Sequence, residues 1–223
     1  MGRKALLLGA TGLIGKELLH LLLAENEYEQ VNIIVRKDVD IYHPKLNMVR
    51  DNLDNMDSYE DMFKVDDVYC CLGTTIKKAG TRENFQKVDL DYPLQAARLA
   101  LRQGASKYLV VSAIGADENS PFYYSRVKGK LEEGLLNMGF ESVVIFRPSL
   151  LLGKREEVRI GEKAAELVSV PLGFLFKGKL RKYRPVQGAA VASMMLASAL
   201  LPGKGIEVFE SIGTTEFKKD VQT

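Results

Sequence analysis

The sequence predicts an α/β fold of the doubly wound kind, a mostly parallel sheet flanked by helices, with a small C-terminal substrate-side extension. Three observations predict it. Short apolar runs alternate with longer stretches whose apolar residues recur at helical spacing. A glycine-rich turn joins the first run to the first stretch. The 223 residues, 46% hydrophobic and 27% charged, allow one large domain or two small ones. With no internal repeat, low-complexity tract or Pro/Gly/Ser linker, one domain over residues 1–223 is the simpler reading, residues 149–185 forming a small lobe on the substrate side.

Each element has its own signal. Ala5 to Leu8 is a short buried strand, and Leu13 to Ala24 carries Ile14, Leu18, Leu21 and Leu22 at helical spacing. Val31 to Val35 is rich in β-branched residues, which suit a strand. Further strands are expected at Asn47–Val49, Val68–Leu72, Tyr108–Val111, Ser142–Phe146 and Ile206–Phe209. Helices are expected over 57–63, 83–103, 123–137, 161–169 and 186–200.

Composition excludes several classes. With 31 Lys+Arg against 29 Asp+Glu the formal net charge is +2, so no global field calls for nucleic acid or an anionic membrane. Cys70 and Cys71 are adjacent, and neighbouring strand residues face opposite ways, so no disulfide framework is expected. His20 and His43 have no metal-ligand spacing, and no metal site is expected. The basic start Met1 to Lys4 before Ala5 to Leu8 resembles a signal peptide, but Gly9, Gly12 and Gly15 break the apolar run, and Leu6 stands where N-myristoylation needs Ser or Thr. The longest apolar stretch, Ala189 to Leu201, is 13 residues and contains Ser193 and Ser198, short of the roughly 20 a spanning helix needs. No transmembrane segment and a cytoplasmic location are the expectation.

Gly9-Ala10-Thr11-Gly12-Leu13-Ile14-Gly15 lies where the first strand hands over to the first helix, the context of a Rossmann-type dinucleotide fingerprint. Gly9 permits the tight turn, Gly12 leaves room for a pyrophosphate and Gly15 lets the helix approach the strand. Amides around Thr11, Leu13 and Ile14 then face the phosphates. Arg36 and Lys37 end the second strand, about 20 positions past Gly15, where a carboxylate would accept from a ribose 2′-hydroxyl and a guanidinium would hold a 2′-phosphate. This favours NADP(H). The alternative is that Arg36 and Lys37 form a solvated basic turn and Asp38 takes the acid's role.

Tyr124 and Lys128 stand at i and i+4 of an expected helix and share a face. A phenol of ordinary pKa about 10 becomes a usable acid when a neighbouring ammonium favours its phenolate. Ser112 ends the strand before that helix, and its hydroxyl is placed to hydrogen-bond a carbonyl oxygen receiving the Tyr124 proton.

These residues, with Arg147-Pro148-Ser149 after the sixth expected strand, resemble the short-chain dehydrogenase/reductase superfamily in its atypical branch. The runs Cys70 to Thr75, Lys78 to Gly80, Val88 to Tyr92 and Tyr124 to Gly129 carry the resemblance further. It implies NADPH along the carboxyl edge of the sheet: Asp51 and Asn52 near the adenine, Leu72, Gly73 and Thr74 near the middle ribose, Lys128 on the nicotinamide ribose, and Pro148 with Ser149 near the carboxamide. Asp89 departs from the asparagine common in the superfamily, and Ala113 follows Ser112 where a second serine is common. Only a short chain follows Pro148, which argues against the larger lobe of nucleotide-sugar enzymes.

From Leu167 to Ile206 no acidic residue occurs, while Lys177, Lys179, Arg181, Lys182, Arg184 and Lys204 are basic. Interleaved with Phe174, Phe176 and Tyr183, this region reads as a lid for an anionic substrate, a contact with a membrane surface or partner, or a solvated loop. The expected activity is NADP(H)-dependent hydride transfer involving a small carbonyl or alcohol. The rival from another class is a non-catalytic NADP(H)-reading regulator acting through a protein partner, and a homodimer is left open.

Overall fold

The computed structural model describes residues 2–152 and 184–210. Seven parallel strands form one sheet: β1 (Arg3–Leu8), β2 (Tyr28–Val35), β3 (Leu46–Arg50), β4 (Asp67–Cys70), β5 (Lys107–Val111), β6 (Ser142–Phe146) and β9 (Gly205–Phe209). Their order is β3-β2-β1-β4-β5-β6-β9, and a two-residue pair, β7 (Leu151–Leu152) with β8 (Val186–Gln187), stands apart. The order reverses between β1 and β4, which opens a crevice beyond their carboxyl ends.

Side-chain alternation divides the core into two layers. On β1, Ala5 and Leu7 pack toward α1 (Leu13–Ala24), whereas Leu6 and Leu8 pack on the other side of the sheet. Both faces are covered, so β1 reads as an unbroken apolar run rather than an alternating one. On the first side α1 lies beside α6 (Gly188–Leu200), where a Cβ on Gly188 would come 2.9 Å from the Leu13 side chain. The second side holds α4 (Tyr92–Arg102) and α5 (Tyr123–Leu136). The adjacent cysteines divide the same way, Cys70 into the second layer and Cys71 against the first.

The amino edge of the sheet is tied by a polar cluster. Asp67 is fully buried and takes hydrogen bonds from Tyr28 Oη at 2.6 Å and Arg3 at 2.5 Å. Lys107 donates to the carbonyls of Ala199 and Leu201, both at 2.9 Å, closing the C-terminal end of α6.

Several boundaries differ from the sequence expectation. The strand expected over 68–72 ends at Cys70, which pairs with Leu8, the last residue of β1. The helix expected over 83–103 is built as α3 (Arg82–Gln86), a π turn (Lys87–Asp91) and α4, preceded by a short α2 (Ile76–Ala79). Pro93 is the physical reason: it has no N–H, and its ring crowds the carbonyl four residues back, that of Asp89. The stretch 57–63 is a 3₁₀ segment (Met56–Phe63) interrupted at Tyr59. The helix expected at 161–169, most of the 149–185 lobe and the basic residues Lys177 to Lys182 lie outside the described residues.

Candidate functional site

The residues singled out in the sequence follow the carboxyl ends of successive strands. Gly9 follows β1, Arg36 and Lys37 follow β2, Asp51 and Asn52 follow β3, and Leu72 to Thr74 come just after β4. Ser112 follows β5 and Pro148 and Ser149 follow β6. Because the strands are parallel and in register, these loops share one edge of the sheet.

The three glycines of the first turn do different work. Gly9 has φ +81°, and a Cβ there would lie 2.6 Å from the Cys71 carbonyl oxygen. A Cβ on Gly15 would lie 2.1 Å from the carbonyl oxygen of Gly9, so α1 can approach the turn only without one. Gly12 differs: its Cβ would meet only the Gly9 oxygen, at 3.3 Å, leaving its face open. It caps α1 with no side-chain hydrogen bond, and the first turn of α1 has no acidic residue. A cradle of this kind fits a pyrophosphate, whose oxygens take the unclaimed amides.

The second strand's turn is basic and exposed at Arg36 and Lys37, and Asp38 lies 3.9 Å from Arg50. Asp51 uses its carboxylate inside its own loop, accepting from the Leu53 amide and the Tyr59 hydroxyl, both at 2.7 Å. Asn52 bonds Asp54 at 2.8 Å. Ser149 donates to the Arg184 carbonyl at 2.5 Å.

Tyr124 and Lys128 lie on one face of α5 in different surroundings. Tyr124 is 40% exposed and leans on Phe85, ring centroids 5.6 Å apart, whereas Lys128 is buried. The Lys128 ammonium sits 2.8 Å from Asp89. Burial pulls Lys128 toward the neutral form, but the charge of Asp89 and then the nearby Tyr124 phenol outweigh it and hold its pKa above the ordinary value.

Ser112 is buried, and its hydroxyl donates to Glu132, the proton that the sequence reading reserves for a substrate carbonyl. Glu132 is bridged in turn by Arg147, whose Nη2 lies 2.5 Å away and whose Nη1 reaches Glu210 at 2.7 Å. Hydrogen bonds to Glu132 outweigh burial and raise the Arg147 pKa. The loop after Ser112 is clamped to α5 by Asp117 N donating to Ser125 O at 3.1 Å, and a Cβ on Gly129 would lie 2.1 Å from the Glu118 nitrogen. The sequence reading gave Glu132 no part, and Gly129 entered it only as the end of the Tyr124 to Gly129 run. Glu132 is visible there as the next member of the stripe Tyr124, Lys128, Glu132, and Gly129 as a glycine kept inside a helix at a cost in propensity.

A sheet that reverses order beside an open glycine turn is the arrangement of a Rossmann-type nucleotide-binding protein. A model of the NAD(P)H-binding family matches residues 9–168, and the chain belongs to that family as an atypical short-chain dehydrogenase/reductase. Among its relatives, Protein HTATIP2 of Rattus norvegicus is 34% identical, covering 98% of this chain and 90% of that protein. "Protein FMP52, mitochondrial" of Debaryomyces hansenii is 31% identical over 95% of each chain, and its namesake in Eremothecium gossypii 33% over 98% of this chain and 99% of that one. Of solved structures, Bordetella bronchiseptica WbmH in complex with NAD+ aligns with TM-score 0.72 and 16% identity over 95% of this chain and 76% of that one. MoeE5 in complex with UDP-glucuronic acid and NAD gives 0.70 and 16% over 94% and 76%. At that identity they show the fold.

Family membership makes a nicotinamide dinucleotide the cofactor. The cytoplasmic expectation is corrected, because several fungal relatives bear mitochondrial names. It rested on the broken apolar run at the start and the short longest apolar stretch, and neither feature distinguishes one compartment from another. Among the described residues no helix is long and apolar enough to cross a membrane.

Proposed function

We propose that the protein is an NADP(H)-dependent oxidoreductase that interconverts a small carbonyl compound and its alcohol. The observation that carries this reading is a buried, charge-paired Lys128 one helical turn from the half-exposed Tyr124, at the same sheet edge as the open glycine turn. The bound dinucleotide supplies or accepts hydride. Amides of Thr11, Leu13 and Ile14 within the Gly9–Gly15 turn would hold its pyrophosphate, with Gly12 leaving it room, and Arg36 with Lys37 the 2′-phosphate. Support for NADP(H) comes from these two exposed cations and from Asp38 being turned toward Arg50. Asp51 and Asn52 would border the adenine, Leu72, Gly73 and Thr74 the middle ribose, and Pro148 and Ser149 the carboxamide. We also read residues 1–223 as one domain.

In the reducing direction Tyr124 gives its proton to the oxygen of the substrate carbonyl, and Lys128 provides the positive charge beside the phenolate that remains. Exposure of Tyr124 leaves it reachable by a small molecule. Screening carbonyl compounds for NADPH consumption tests the reading: a Tyr124-dependent rate supports it, and a rate unchanged in Tyr124→Phe removes Tyr124 from the chemistry.

One observation favours a second reading. The Ser112 hydroxyl is held by Glu132 and must leave it to reach a carbonyl. A protein that binds NADP(H) and signals to a partner without turnover needs no such release. Tight NADPH binding with no consumption across the panel would select that reading.

A further inference from the structure

Asp89 occupies an unusual place. At Pro93 the α-helical ladder lacks a donor for the Asp89 carbonyl, and the chain widens into a π turn in which the Tyr92 amide bonds the Lys87 carbonyl. Asp89 sits at the middle of that turn, 1% exposed. Its Oδ2 accepts the Thr74 amide at 2.8 Å, and its Oδ1 lies 2.8 Å from the Lys128 ammonium, itself 3% exposed. Oδ1 has no aligned hydrogen bond, so charge holds that side of the contact. Replacing a buried ion pair with packed apolar side chains is commonly neutral or stabilising, so folding alone does not require these charges here.

We propose that Asp89 is a positioning residue. It anchors the Lys128 ammonium to the Leu72–Thr74 turn, so that the cation assigned to the nicotinamide ribose is in place before a dinucleotide enters. The proposal rests on the reading of Lys128 given under the proposed function. Its consequence is local: if the Thr74 contact is kept, loss of the Asp89 charge acts through Lys128 on the nicotinamide ribose, and the adenosine half, served by the glycine turn, Arg36 and the Leu72–Thr74 turn, is left in place.

The test compares a whole dinucleotide with its adenosine half by calorimetry, using NADPH with 2′,5′-ADP, or NADH with ADP if the wild type prefers NADH. Asp89→Asn keeps an acceptor for Thr74 and removes the charge. It is expected to weaken the dinucleotide about tenfold or more, as loss of a charge-assisted contact does, and to leave the adenosine half within about twofold. The double variant Asp89→Asn/Lys128→Met removes both charges. It is expected to recover the stability lost in Asp89→Asn while binding the dinucleotide no more weakly than Lys128→Met alone. Unchanged dinucleotide affinity in Asp89→Asn, or equal loss for both ligands, would overturn the proposal. A wild type that binds none of the four ligands fails the cofactor reading itself, and this inference falls with it.

Discussion

Lys128 is the residue on which the proposed site rests, and its burial decides its charge balance. An ammonium 3% exposed survives beside Asp89 because the carboxylate compensates lost hydration. Tyr124, a turn earlier and 40% exposed, has the opposite surroundings, as the proposed proton donor requires. Tyr124→Phe should therefore lower turnover at least about 100-fold, as removal of a general acid does, with NADPH affinity within about twofold; steady-state rates and calorimetry check both. Deeper in, Arg147 neutralises the buried Glu132 that holds Ser112. Arg147→Met strands that carboxylate and should cost about 2–3 kcal/mol, read as a lower urea midpoint at unchanged slope. The Tyr124/Lys128 pair was legible in the sequence because helical spacing alone aligns it. The partner of Ser112 was not, since Glu132 and Arg147 meet only after α5 folds over β6.

At the level of elements, the glycine turn separates folding from binding. Gly15→Ala drives a methyl to 2.1 Å from the Gly9 oxygen, so α1 must shift; a loss of about 3 kcal/mol and of nucleotide binding is expected. Gly12→Ala crowds a single atom, the Gly9 oxygen at 3.3 Å, which has to give by a few tenths of an ångström, but its methyl fills the open face of the cradle. Its melting temperature should fall far less than that of Gly15→Ala while NADPH affinity falls at least about tenfold, because the methyl denies the pyrophosphate its closest approach. Reversed behaviour of the two variants would contradict these roles. The strands were legible as apolar, β-branched runs because both faces of the sheet are covered. The break in the helix expected over 83–103 was not, although Pro93 signals it, because helical periodicity continues across the π turn.

For the whole molecule, the order β3-β2-β1-β4-β5-β6-β9 gathers turns spread from Gly9 to Ser149 at one edge. The reversal of strand order beside β1 places the groove there, and the alternation of strands and helices in the sequence already implied it. Net charge and cysteine count bounded the class but gave no address, and relatives with mitochondrial names corrected the one inferred. Stability should report the buried pair through pH. The Lys128 pKa is raised above its ordinary 10.5, so its contribution is full below about that pH and is lost as pH climbs through the folded value. The stability difference between wild type and Lys128→Met should be flat from neutrality to about pH 10 and shift only above it, measured by denaturant unfolding across pH. The most direct measurement is calorimetric titration of the wild-type protein with NADPH and with NADH. One site that takes NADPH more tightly than NADH is the expected result; no heat with either nucleotide would contradict the groove, and preference for NADH would contradict the part given to Arg36.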